Sequence, residues 1–137
     1  MTATMQELRF PSKLENIAIV EHLIDDICEK HRLIGDHYGD VLIAMTEAVN
    51  NAIVHGNRLD IKKDVVVGYE VREKDLFFRI ADEGPGFDYD NLPDPTAPEN
   101  IERPNGRGVF LMRNLADQCG FEDDGRVVEL TFSGVLS

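Results

Sequence analysis

The sequence predicts an α+β fold: a two-layer α/β sandwich, mostly antiparallel sheet with helices on one face. Three observations predict it. Two stretches carry apolar residues at helical spacing, Leu14 to His31 and Asp36 to His55. Two strand-like runs, Asp64 to Arg72 (DVVVGYEVR) and Asp75 to Asp82 (DLFFRIAD), are separated only by Glu73-Lys74, a hairpin-length link. A further strand-like run, Arg126 to Phe132, follows a third helical stretch.

The elements can be justified in order. Residues 6 to 10 can add an amino-terminal strand. In the first helix Ile17, Val20, Ile24 and Ile27 share a face, with Ser12 as a cap and Glu15 three residues on. In the second, Leu42, Met45, Val49 and Ala52 mark the buried face, and Gly56 stops the helix. Gly106 to Gln118 reads as the third helix, and Asp124-Gly125 leads into the closing strand, RVVELTF.

The composition narrows the function. At 137 residues the chain is expected to be a single domain with a core of its own. It is 42% hydrophobic and 29% charged, a globular balance that argues against disorder. A formal net charge of −12 opposes binding to nucleic acid or an anionic membrane surface, though not a local basic pocket for one small anion. Cys28 and Cys119 form no C-x-x-C pair, so neither a disulfide framework nor a zinc site is expected. There is no basic, apolar leader and no apolar run near the roughly 20 residues that span a bilayer, so the expectation is a cytoplasmic protein.

Chemistry-bearing residues fall in three pieces and one unusual loop. Residues 88 to 107 hold four of the six prolines, which excludes helix and central strand and suggests a lid or a surface excursion. In EAVNNAIVHGN (47–57), with Glu47 at the origin of a helical wheel, Asn51 falls at about 40° and His55 at about 80°, roughly opposite the apolar stripe. Glu47 and Asn51 thus sit one turn apart on a polar face. His55, in the last turn, reads first as a helix cap. Asp82 closes a strand and opens DEGPGF, where a fixed carboxylate can accept from an exocyclic amine and glycines allow a close approach. In NGRGVFLM, Gly106 and Gly108 open a helix whose free amides suit phosphate, flanked by Arg103 and Arg107.

In this order and spacing, the pieces over residues 36 to 132 resemble the GHKL ATPase superfamily, the Bergerat ATP-binding fold shared by gyrase, histidine kinases and MutL. The form EAVNNAIVHG is most similar to the anti-sigma-factor serine/threonine protein kinases of stress response and sporulation. The resemblance implies ATP/ADP and Mg²⁺ as cofactors, with Asn51 as the metal ligand and Glu47 as general base or orienter of the attacking hydroxyl or water. It implies that Asp82 reads the adenine amine, that Gly84 and Gly86 make room for the base, and that residues 88 to 105 form an ATP lid. Phosphates would lie on the amides around Gly106 and Gly108, with Arg103 or Arg107 facing the γ-phosphate. The implied partners are a small antagonist (anti-anti-sigma) protein, phosphorylated on Ser or Thr, and a sigma factor, with homodimerisation through the amino-terminal strand. Family members often carry a partner-contacting arginine on the first helix; here LENIAIVEHLIDDICEK has none before Arg32. Other readings are a non-catalytic nucleotide-gated binding module, a free-standing histidine-kinase-like ATPase domain, and a purely structural domain.

Overall fold

In a computed structural model, the structure describes residues 5–33, 37–86 and 104–136, with residues 104–107 described by their backbone only. Five strands form one antiparallel sheet: β1 (Gln6–Pro11), β2 (Asp64–Arg72), β3 (Asp75–Ala81), β4 (Gln118–Glu122) and β5 (Val127–Phe132), in the order β1-β2-β3-β5-β4. Three helices, α1 (Ile17–His31), α2 (His37–Asn50) and α3 (Pro104–Leu115), pack with α2 between the other two.

Period-two alternation explains why the helices lie on one face. Leu76, Phe78 and Ile80 of β3 are buried, whereas Phe77 and Arg79 between them are partly exposed. Val65 and Val67 on β2, and Val128, Leu130 and Phe132 on β5, point the same way. They meet Val20, Ile24 and Ile27 of α1, Val41, Met45 and Val49 of α2, and Val109 and Met112 of α3 in one core. Phe78 and Phe132 pack edge to face, centroids 6.1 Å apart, inside it. On the opposite face Arg72 stacks 4.8 Å over the Phe77 ring and donates to Glu70 at 2.7 Å. The Glu73-Lys74 link is a two-residue turn, with Arg72 opposite Asp75 and Glu73 at φ 56°.

Four details differ from the sequence reading. The first helical stretch begins as a separate 3-10 turn, Leu14–Asn16, and Ser12 caps nothing: it is 1% exposed and donates to the Lys63 carbonyl at 2.6 Å. The second does not run as one α-helix to His55, because Asn51–Gly56 follows α2 as a π-helical turn. The third begins at Pro104, suited to a first helical position, and ends at Leu115, where chain expected to be helical becomes β4. β5 starts at Val127, which leaves Arg126 in the preceding turn. Among the described residues no helix is long and apolar enough to cross a membrane.

Candidate functional site

The π-helical turn after α2, the end of β3 and the helix α3 converge on a cavity of ≈ 190 Å³. Its walls are Ala48, Asn51, Ala52, His55, Gly56 and Arg58 on one side and Ile80, Asp82, Pro85 and Gly86 on another. Met112, Phe121, Gly125, Arg126 and Val128 complete it. A largely apolar cavity whose lining includes one carboxylate, Asp82, and two arginines, Arg58 and Arg126, can take a ring with polar edges.

Asn51 opens the π turn, one helical turn beyond Glu47. Such turns widen a helix and recur at functional sites. The Asn51 carboxamide and the Glu47 carboxylate both lie under Gly108 of α3. A Cβ there would stand 2.8 Å from Asn51 Nδ2, 3.1 Å from Glu47 Oε2 and 3.2 Å from Asn51 Oδ1. The Asn51 Oδ1 atom is buried and accepts no hydrogen bond among the described residues. A buried carbonyl oxygen in that state calls for a donor or a cation, so the residues present fit a hard ion such as Mg²⁺. No group of three His, Cys, Asp or Glu side chains is placed to hold a metal among the described residues.

Asp82 is fixed from several sides. Its amide donates to the Arg126 carbonyl at 2.9 Å, and its Oδ1 accepts from Gly84 N–H at 2.8 Å. Its carboxyl group occupies the space a side chain at residue 56 would need, since a Cβ on Gly56 would lie 2.5 Å from Asp82 Cγ. Burial holds this carboxyl above its ordinary pKa, while the Gly84 amide and the Arg126 charge pull it back down.

The space beside Gly84 and Gly86 is filled by backbone. A Cβ on Gly84 would lie 1.9 Å from the Gly56 carbonyl oxygen, and one on Gly86, at φ 83°, would lie 2.2 Å from the Asp124 carbonyl oxygen. Arg126 clamps the same turn. Its Nε donates to the Gly84 carbonyl at 2.7 Å, its Nη2 to the Pro85 carbonyl at 3.2 Å and its Nη1 to the Asp123 carbonyl at 3.1 Å.

The structure therefore brings together Glu47, Asn51, Asp82, Gly84, Gly86 and Gly108. Arg103 and most of the 88–105 loop lie outside the described residues, as does the side chain of Arg107, and Gly106 is described by its backbone alone. His55 lines the cavity, and burial pushes its imidazole below the ordinary pKa. The helical spacing puts His55 on the Glu47–Asn51 face, whereas Arg58, Phe121 and Arg126 of the cavity wall are not among the residues the sequence singles out. Phe121 was hidden by the unrecognised β4. Arg126 was masked by its place beside a strand, and Arg58 carries no local signal.

The family model described as "Histidine kinase-like ATPase domain" matches residues 10–132. The Serine-protein kinase RsbW of Bacillus cereus (strain AH820) is 29% identical over 132 residues, covering 91% of this chain and 82% of the relative. RsbW of Bacillus thuringiensis (strain Al Hakam) is similar to the same extent, 29% identical over 132 residues. Among solved structures, the RsbU and RsbW domains of Rv1364c from Mycobacterium tuberculosis match with a TM-score of 0.66 at 14% identity, a likeness of fold. That match covers 97% of this chain and 32% of the other, so the chain spans about a third of that protein's length. A match over nearly the whole chain, on the elements that build the cavity, places this chain in the histidine kinase-like ATPase domain family.

Proposed function

We propose that this chain is a cytoplasmic Mg²⁺-ATP-dependent serine/threonine protein kinase of the anti-sigma-factor type. It would act as one ATPase domain whose 88–105 segment forms the lid. The observation that carries the reading is the convergence of Glu47 Oε2 and the Asn51 carboxamide under Gly108, beside a cavity lined by Asn51 and Asp82. The likeness to proteins named serine-protein kinase supports a transferase, and the family supports ATP as the nucleotide.

Each residue has a part in the proposed site. Asp82 accepts a hydrogen bond from the adenine amine, and Gly84 and Gly86 keep the turn close beside the ring. Asn51 Oδ1, buried and with no donor among the described residues, would hold the metal ion. Mg²⁺ held there would neutralise charge on the nucleotide phosphates. The amides around Gly106 and Gly108, with Arg103 or Arg107, bind phosphate oxygens at the head of α3. Glu47 takes the proton from a substrate hydroxyl, or orients that hydroxyl, as its oxygen attacks the γ-phosphorus and the bond to the β–γ bridging oxygen breaks.

The proposed substrate is a Ser or Thr of a small antagonist protein, and the proposed second partner is a sigma factor released on partner switching. β1 lies at one edge of the sheet, which supports homodimerisation through that strand. The test is transfer of labelled γ-phosphate from ATP to a purified candidate antagonist. Acid-stable phosphate on Ser or Thr supports the kinase. Acid-labile phosphate would support a free-standing histidine-kinase-like domain, and partner affinity that responds to nucleotide without any transfer would support a gated binding module.

A further inference from the structure

Asp82 is followed directly by a second acidic residue, Glu83, and only one of the two faces the cavity. The local structure accounts for the choice. Asn57, 1% exposed, accepts from the Glu83 backbone N–H through Oδ1 at 2.7 Å and donates from Nδ2 to the Asp64 carbonyl at 3.0 Å. The Asp64 N–H in turn donates to Glu83 Oε2 at 2.6 Å. Three hydrogen bonds thus close a ring through Asn57, Asp64 and Glu83, and the ring holds the Glu83 carboxylate on the start of β2. Neither Asn57 nor Glu83 lines the cavity. Ser12 touches the ring from outside, accepting from Asn57 Nδ2 at 2.9 Å.

We propose that Asn57 is a positioning residue for nucleotide selectivity: by closing this ring it sets the register of the Asp82-Glu83 pair and presents Asp82 alone to the base. The proposal rests on the reading that Asp82 accepts the exocyclic amine of adenine. A buried carboxamide with both ends engaged has one low-energy orientation, and removing it leaves the Glu83 amide and the Asp64 carbonyl without their partner. The Glu83 backbone then loses the bond that holds it, Asp82 keeps only its contacts with Gly84 and Arg126, and selectivity falls before binding as a whole is lost.

The experiment compares dissociation constants for ATP and ITP, which carries a carbonyl where ATP carries the amine. The folded wild type is expected to prefer ATP by about tenfold or more. Asn57→Ala should bring that ratio close to one by weakening ATP while leaving ITP unchanged. Ser12→Ala, which removes a bond to the same carboxamide but leaves the ring closed, should lower the melting temperature and keep the ratio. Asn57→Asp, which retains the acceptor for the Glu83 N–H, should recover part of the ratio. A wild type that binds ATP and ITP equally overturns both the Asp82 reading and this one. A selective wild type whose ratio survives in folded Asn57→Ala overturns the positioning role alone. Should Asn57→Ala fail to fold, Glu83→Ala at its exposed site replaces it: a reduced ratio supports the ring, and an unchanged ratio overturns it.

Discussion

The carbonyl oxygen of Gly56 lies where a side chain on residue 84 would have to begin, 1.9 Å from the position of its Cβ. The end of the π turn and the turn after β3 are therefore interlocked backbone to backbone, and the Asp82 carboxylate is trapped between them. Gly84→Ala forces backbone apart, because no flexible side chain can yield. The expected cost is roughly 1–3 kcal/mol, as for overpacking in a tight interior, with loss of nucleotide binding. Denaturant unfolding and a binding isotherm check both; a fully stable Gly84→Ala variant that binds ATP normally would show that the interlock is loose.

Gly108 contrasts with Gly84, since a Cβ there meets the movable ends of Asn51 and Glu47. Alanine also suits a helix interior better than glycine by about 0.5–1 kcal/mol. Gly108→Ala is accordingly expected to fold with near wild-type stability while Mg²⁺-ATP affinity falls by about tenfold, or 1.4 kcal/mol. Calorimetry on the variant, with unfolding measured in parallel, separates the two effects.

The buried carboxyl of Asp82 sets a pH dependence. Its pKa is raised by burial, so the native state holds the proton more tightly than the unfolded chain. That contribution favours folding at low pH and is lost as pH rises through the folded-state value, leaving an ionised group that costs stability near neutrality. Asp82→Asn should then melt at or above the wild-type temperature at about pH 7, and the difference should narrow as pH falls toward roughly 4, the ordinary carboxylate range. The upward shift produced by Mg²⁺-ATP should vanish in the variant. Melting curves across that range, with and without nucleotide, decide it.

Glu47 carries the proposed base, so its removal should separate binding from transfer. Glu47→Ala is expected to keep ATP affinity within about threefold while phosphoryl transfer falls by roughly 10²–10⁴, the usual contribution of a general base. Equal losses in binding and transfer would assign Glu47 to nucleotide binding instead.

Much of this arrangement could be read from the sequence, because its signals are local. The hairpin from Asp64 to Ala81 followed from alternation and a two-residue link. The Glu47–Asn51 pair followed from helical spacing, and the strand-ending Asp82 from the glycines behind it. The parts that escaped depend on partners distant in the chain. The Gln118–Glu122 strand, QCGFE, has weak alternation and a central glycine, and is defined by pairing with β5. Ser12 looked like a cap because Glu15 completes a capping pattern, yet tertiary contact with Lys63 and Asn57 draws it into the interior. The role of Arg126 comes from carbonyls some 40 residues earlier in the chain. Its sequence neighbours give no sign of them.

The central claim is a Mg²⁺-nucleotide site built on Asn51 and Asp82, and its most direct test is the ATP dissociation constant with and without Mg²⁺, in the wild type and in Asn51→Ala. The account predicts that Mg²⁺ tightens ATP binding to the wild type by about tenfold or more, and that Asn51→Ala retains only the weaker, metal-independent affinity. Folded wild-type protein that binds no ATP, or an Asn51→Ala variant whose affinity still responds fully to Mg²⁺, would contradict it.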